Sequence, residues 1–194
     1  IYSQRLNLGV VRQDVNAMWN LAPHDISIAL RWLKQMPRAV TARGYTYLQE
    51  GIEDVVYLTL EFADGVTVHI HVSWLDPSKV RRTTVVGSSK MIVYDDLEPT
   101  EKIKVYDKGI SLNPTAEEKY AMRVDYRTAA ILSPKVEGGE ALSTLVRDFA
   151  HAIRTGTTPL TDAASGLRVV SILEAADQSL RLRGAPIELP LLEE

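Results

Sequence analysis

The chain of 194 residues carries 22 Lys and Arg against 25 Asp and Glu, a formal net charge of −3 at pH 7, and 45% of its residues are hydrophobic. This is the composition of one globular domain, and the lack of cysteine excludes disulfides, thiolate metal ligands and a cysteine nucleophile. No long Lys/Arg cluster, apolar run of about 20 residues or signal-peptide pattern occurs, so we expect no nucleic acid, no membrane and a cytoplasmic location. Because the chain opens with Ile1, we expect a piece of a longer protein.

The first elements of the chain are a short strand and a helix. An apolar stretch predicts a strand at residues 6–11, and mixed polarity predicts a loop at 14–23. Residues 24–36 repeat apolar side chains at helical spacing, with Pro23 before them and Pro37 after them. This pattern predicts a helix with His24 in its first turn.

The middle of the chain is dominated by strands. Residues 66–74 alternate strictly, with Val, Ile and Trp on one side and Thr67, His69, His71 and Ser73 on the other. An Asp-Gly turn joins this run to the equally clear run before it. The same reasoning predicts strands at 40–47, 54–62, 66–74, 79–86, 91–94, 102–106 and 122–126.

Two helices are predicted at the end of the chain, over residues 140–154 and 162–183. Each has an apolar stripe, Gly156 and Gly184 follow their ends, and Asp162 or Thr161 caps the second. A helix, a run of strands and then helices indicate an α+β fold, with an open, predominantly antiparallel mixed sheet and helices on one face. The polar second face is either solvated or an interface between subunits.

Few residues point to chemistry by themselves. No Gly-x-Gly-x-x-Gly or phosphate-binding loop occurs, so the chain lacks the usual nucleotide-binding device. His69 and His71 have the spacing of a metal clamp, but without a third ligand we interpret them as polar residues of an open sheet face and expect no metal site.

We interpret the three tryptophans, Trp19, Trp32 and Trp74, as core or interface anchors. The pair Arg81-Arg82 is read as a solvated strand end, with anion binding as the weaker alternative.

His24 is the most suggestive single residue. At a helix N-terminus the dipole would favour the neutral imidazole, which a general base near pH 7 requires. The competing interpretation is a capping or half-buried structural histidine.

Several segments resemble the C-terminal domain of the Gfo/Idh/MocA (glucose–fructose oxidoreductase/inositol dehydrogenase) family. They are DVNAMWNLAPHDIS at 14–27, VSWLDP at 72–77, KVRR at 79–82, MIVYDDL at 91–97, VEGGEAL at 136–142 and TPLTD at 158–162. The resemblance implies a single substrate-binding and oligomerisation domain over residues 1–194, with a dihydrodipicolinate reductase-like C-terminal fold. It implies that an N-terminal Rossmann domain, absent from this chain, holds NAD or NADP, so the isolated domain is expected to be inactive.

The family carries an aspartate and a histidine at D-x-x-x-H spacing, which falls on Asn20 and His24 here. The resemblance implies a catalytic His24 and pocket-lining roles for Asn20, Asn16, Trp19 and Arg12. Asn20 replaces the commoner aspartate and can only hydrogen-bond, where a carboxylate would also stabilise the imidazolium.

The function implied is that of an NAD(P)-dependent dehydrogenase of a sugar, sugar nucleotide or polyol, with His24 accepting the hydroxyl proton. The implied assembly is a homo-oligomer through the open sheet face. The alternatives are a non-catalytic sugar-binding module and a purely structural dimerisation domain.

Overall fold

The computed structural model describes residues 1–107, 115–117, 130–136 and 139–190. Within these residues the chain forms three helices and nine strands. The helices are α1 (Ala17–Leu33), α2 (Ala141–Thr155) and α3 (Ala163–Arg181). The strands are β1 (Tyr2–Leu8), β2 (Ala39–Tyr45), β3 (Val55–Glu61), β4 (Thr67–Ser73), β5 (Leu75–Val86), β6 (Met91–Asp95), β7 (Ile103–Tyr106), β8 (Ile131–Leu132) and β9 (Ile187–Glu188).

The strands form one sheet in the order β8-β7-β6-β5-β1-β4-β3-β2-β9. Only β1 and β4 run parallel; every other neighbouring pair is antiparallel. The predicted α+β fold with a mostly antiparallel mixed sheet is therefore confirmed.

The strict alternation along β4 separates the two faces of the sheet. Val68, Ile70 and Val72 are buried, together with the alternate residues of β3, against α1 and α3. We call this side the helix face. Thr67 and His69 point to the opposite side, which we call the open face.

Most strands lie where the alternation predicts them, but the first does not. The prediction of 6–11 is wrong, because β1 spans Tyr2–Leu8 and two of its polar residues, Ser3 and Arg5, are hidden on the helix face. β8 and β9 have two residues each, too short for a periodic signal. The strand predicted at 122–126 lies outside the described residues.

The first helix begins earlier than its apolar spacing predicts. α1 starts at Ala17, so the loop predicted at 14–23 is wrong from residue 17 onward, and Pro23 lies inside the helix. The side-chain oxygen of Asn16 caps the helix by accepting from the Trp19 N–H at 3.1 Å. His24 is consequently the eighth residue of α1, and the prediction that it sits in the first turn is wrong.

A buried ion pair ties α1 to the sheet. Asp25 accepts a hydrogen bond from Arg5 Nε of β1 at 2.7 Å and another from Ser3 Oγ at 2.6 Å. The Asp25 side chain is only 2% exposed. Ser3 Oγ also lies 3.0 Å from Thr83 Oγ1, so the same contact reaches β5. The position of α1 on the helix face is therefore set by charge as well as by apolar packing.

The two C-terminal helices have the predicted ends but different surroundings. Asp162 caps α3 by accepting from the Ser165 N–H at 2.7 Å, and Gly156 ends α2 at a φ of 70°. α3 packs on β2, where Ser179 Oγ accepts from the Ala42 N–H at 2.9 Å. The apolar stripe of α2, by contrast, is exposed: Leu142, Leu145, Val146, Phe149 and Ile153.

Replacing Asp25 by alanine should strongly destabilise the fold, because Arg5 would be left as a buried charge without its partner. We expect a loss of about 3–5 kcal/mol in the free energy of unfolding, measured by urea denaturation. Asp177→Ala is the control, since it breaks the exposed Arg181–Asp177 pair on α3 and should cost about 0.5 kcal/mol or less. Equal losses in the two variants would contradict a special role for Asp25.

Candidate active site

Asn20 and His24 lie four residues apart on α1, so they occupy the same side of the helix in successive turns. The side-chain oxygen of Asn20 accepts a hydrogen bond from the indole N–H of Trp74 at 3.1 Å. Trp74 is 1% exposed, so Asn20 satisfies a buried donor that would otherwise have no partner. Its amide N–H groups remain the donors that Asn20 can offer to a ligand.

A cavity of about 320 Å³ opens beside Asn20. Its walls come from the end of β1 and the following turn, from α1 and from Trp74: Asn7, Gly9, Val10, Arg12, Asn20 and Trp74. At Gly9 a Cβ atom would come within 2.6 Å of Asn7 Nδ2, so a larger residue would push into the cavity wall. The cavity thus combines amide donors and acceptors with one aromatic wall, which suits a small polyhydroxylated ligand.

The structure separates the expected pocket-lining residues into two groups. Arg12 and Asn20 line the cavity. Asn16 does not, because it caps α1 and donates to Glu53 Oε2 at 2.8 Å. Trp19 packs partly buried against the core. Asn16 and Trp19 therefore hold α1 in place and do not reach this cavity.

The tryptophans follow their predicted role as anchors only in part. Trp74 is fully buried and Trp19 packs against the core, but Trp32 is 48% exposed near the end of α1. The core alternative is therefore wrong for Trp32, and the interface alternative stays a prediction.

His24 lies at the surface, one turn beyond Asn20. Loss of hydration on the side facing the protein lowers the pKa of His24 below its usual 6.5, Arg5 and Arg81 lower it further, and Asp25 opposes them. The neutral imidazole is therefore favoured, as the sequence predicts, but the helix dipole is not the cause. Among the described residues, no side chain hydrogen-bonds the His24 ring.

A polar cluster on the helix face next to His24 has no counterpart in the sequence predictions. Tyr94 donates from its hydroxyl to Asp96 Oδ1 at 2.8 Å, and Lys102 Nζ lies 3.3 Å from the same oxygen. Arg81 Nη1 is 3.9 Å from the other oxygen of Asp96. Burial and the bonded carboxylate raise the pKa of Tyr94 to about 12, so its phenol remains a donor. Alternation within β5 and β6 could have placed these residues on one face, but not beside α1.

A larger and more open concavity, of about 730 Å³, lies on the open face. The His71 and Tyr57 rings stack there with centroids 4.2 Å apart, and Tyr45 and Tyr47 lie beside them. His69 is instead hydrogen-bonded through Nδ1 to Thr59 Oγ1 at 3.0 Å. The two histidines of β4 thus have separate partners.

The residues that the structure describes contain neither a metal-binding cluster nor a membrane-spanning helix. No group of three His, Cys, Asp or Glu residues among them could hold a metal ion. None of the helices that the structure describes has the length and apolar character needed to cross a membrane.

Comparison with known proteins points to one family. Residues 11–93, which include α1, β4 and β5, match the family model of the GFO/IDH/MocA C-terminal domain. No curated protein sequence matches the chain.

Solved structures share the fold over nearly the whole chain. UDP-N-acetylglucosamine 3-dehydrogenase GnnA from Acidithiobacillus ferrooxidans is 18% identical, with a TM-score of 0.74 over 94% of this chain and 54% of that one. A putative oxidoreductase from Magnetospirillum magnetotacticum is 27% identical, with a TM-score of 0.69 over 90% and 53%. GenD2 from gentamicin A biosynthesis, solved in complex with NAD, is 20% identical, with a TM-score of 0.72 over 97% and 54%.

The resemblance stated from the motifs is confirmed: residues 11–93 match the C-terminal domain of the Gfo/Idh/MocA oxidoreductases, and solved oxidoreductases share the fold over nearly the whole chain. The chain spans about half the length of the solved structures that it matches.

Changing Asn20 to aspartate should raise the pKa of His24, because a carboxylate one helical turn away favours the imidazolium. The carboxylate can still accept the Trp74 N–H, so the fold should be preserved. The measurement is an NMR titration of the His24 ring protons at low salt, with Gln35→Glu as a control that adds the same charge two residues beyond the end of α1. An unchanged or lowered His24 pKa in Asn20→Asp would refute this geometry.

Proposed function

We propose that the chain is the substrate-binding and assembly domain of an NAD(P)-dependent oxidoreductase that acts on a sugar, a sugar nucleotide or a polyol. The observation that carries the proposal is the side of α1 that presents Asn20 at a polar cavity and His24, with its lowered pKa, one turn further. The sugar-nucleotide dehydrogenase and the NAD complex among the similar structures support it.

The chain's own residues would handle the proton of the substrate. A hydroxyl placed in the cavity would accept a hydrogen bond from the Asn20 amide, and His24 in its neutral form would accept the hydroxyl proton as the alcohol is oxidised. The Asp25–Arg5 pair holds α1, and hence both side chains, against the sheet. Arg5 and Arg81 disfavour the imidazolium, so the proton would pass on readily to solvent.

The nicotinamide cofactor would have to be held by a different domain. When bound it supplies the hydride acceptor. The sequence has no glycine-rich phosphate turn, and the cavity walls include no helix N-terminus that could take a pyrophosphate. These residues fit a substrate and not a dinucleotide, so we expect no turnover by this chain alone.

Replacing His24 by alanine in the protein that contains this domain should lower kcat by about 10²–10⁴-fold, the usual contribution of a general base. His69→Ala is the matched control, because His69 lies on the opposite face of the sheet, and it should leave kcat unchanged. Turnover by the His24→Ala variant within threefold of the wild type would show that His24 is not the base.

A second candidate function, assembly through the open face, has its own observation. Tyr45 and Tyr57 are each nearly half exposed and, with Tyr47 and His71, form a cluster of stacked and edge-on rings. Exposed aromatic clusters of this kind are typical of protein interfaces. We therefore propose that two copies of the chain meet through this cluster, whether or not the domain also binds a substrate.

Introducing a charge into the aromatic cluster should weaken the assembly. We expect Tyr57→Glu to shift the mass measured by light scattering after size exclusion from an oligomer towards a monomer. Arg31→Glu, an exposed change on α1, is the control and should leave the mass unchanged. A wild-type chain that is monomeric at all concentrations would contradict the proposal.

A further inference from the structure

We infer that Arg81 forms a subsite for an anionic group, a carboxylate or a phosphate, carried by the substrate beside His24. This inference rests on the proposed function, since it concerns the same site and names a chemical class for its ligand. The sequence leaves Arg81 and Arg82 as a solvated pair; the structure distinguishes between them.

The strand register places the two arginines on opposite faces of the sheet. Arg81 pairs with Arg5 of β1, whereas Arg82 pairs with Gln4. Because Arg5 reaches Asp25 of α1, the Arg5–Arg81 pair belongs to the helix face. Arg82 lies on the open face and is held by Asp95 at 2.8 Å. Only Arg81 is therefore on the same side of the sheet as His24.

The charges around Arg81 leave its guanidinium without a close partner. Arg5 is neutralised by Asp25 at 2.7 Å. Asp96 is shared between Lys102 at 3.3 Å and Arg81 at 3.9 Å, and the longer distance is beyond hydrogen-bonding range. Two cations thus face one carboxylate, and the Arg81 side chain remains 39% exposed. In the part of the chain that the structure describes, this guanidinium donates no hydrogen bond.

The other arginine near the site is less suited to bind a ligand. Arg12 lines the cavity, but Asp14 already accepts two hydrogen bonds from it, at 2.8 and 2.6 Å. Arg81 is the cross-strand neighbour of Arg5, and Arg5 is bonded to Asp25, the residue that follows His24, so a group bound to Arg81 would lie on the His24 side of the sheet. The charge of Arg81 also lowers the pKa of His24. The guanidinium with free donors is therefore Arg81 and not Arg12.

The guanidinium determines which ligand chemistry fits. Its planar fork of N–H donors matches the two oxygens of a carboxylate or phosphate, and charge-assisted bonds of this kind are about twice as strong as neutral ones. A uronate and a sugar phosphate or nucleotide sugar share this chemistry. A neutral sugar would leave the N–H donors of Arg81 hydrogen-bonded only to water.

The test compares matched neutral and anionic probes by NMR, following the His24 ring signals of the full chain. The probes are glucose, glucuronate, glucose 1-phosphate and UDP-glucuronate. We expect glucuronate or glucose 1-phosphate to bind the wild type at least tenfold more tightly than glucose. Whichever of the two binds more tightly shows whether the anion is a carboxylate or a phosphate. UDP-glucuronate tests whether a nucleotide sugar binds more tightly still.

Three variants assign that preference to one side chain. Arg81→Gln should remove at least tenfold of the affinity for the anionic probe and leave glucose binding unchanged. Arg81→Lys should keep part of the affinity, because it retains the charge but not the fork. Arg82→Gln is the matched control, one residue away on the opposite face, and should bind as the wild type does. Urea denaturation confirms that each variant is folded.

The proposal is overturned if the wild type shows no preference for the anionic probes, or if Arg81→Gln keeps that preference. It is also overturned if NADP displaces the anionic probe from Arg81 while glucuronate and the sugar phosphates do not bind, because the subsite would then serve the cofactor. The dehydrogenase proposal fails separately, through turnover of the His24→Ala variant, and that failure would leave the anion subsite standing.

Discussion

The arrangement of the candidate site depends on the buried ion pair between Asp25 and Arg5. The pair joins the middle of α1 to β1, and through Ser3 and Thr83 it extends to β5. A buried charge is strongly destabilising without its partner, so this contact permits one position of the helix on the sheet and penalises others. His24 is the next residue along the helix, and Arg81 is the cross-strand neighbour of Arg5. A single contact thus sets the spacing between His24 and Arg81.

The sheet was largely predictable from the sequence, because its central strands are buried on one side. β3 and β4 alternate without a break, and a one-residue shift would move the whole apolar set into water. Alternation did not predict the bounds of β1, because two of its residues that face the helices, Ser3 and Arg5, are polar. Both are hydrogen-bonded to a partner distant in the sequence. Periodicity detects apolar burial and not the burial of paired charges.

The start of α1 and the candidate site could be predicted from the sequence only in part, for similar reasons. Asn16 is a good capping residue, but Pro23 seven positions later suggested that the helix had not yet begun. The pairing of Asn20 with Trp74 links residues 54 positions apart, and the difference between Arg81 and Arg82 depends on which face carries α1. The predicted helix start and the family resemblance both pointed to His24, whereas the resemblance alone pointed to Asn20. The surroundings that lower the pKa of His24 emerged only from the fold.

The exposed stripe of α2 has a thermodynamic consequence. A helix of 15 residues gains little from its backbone alone and takes most of its stability from packing. Among the described residues, Phe149 and Ile153 remain mostly uncovered. Any surface that buries them therefore adds to the helicity of α2 as well as to its own affinity. The ordering of α2 and the binding of a surface to its stripe are therefore one coupled equilibrium. A surface that binds the stripe more tightly also makes the helix more rigid.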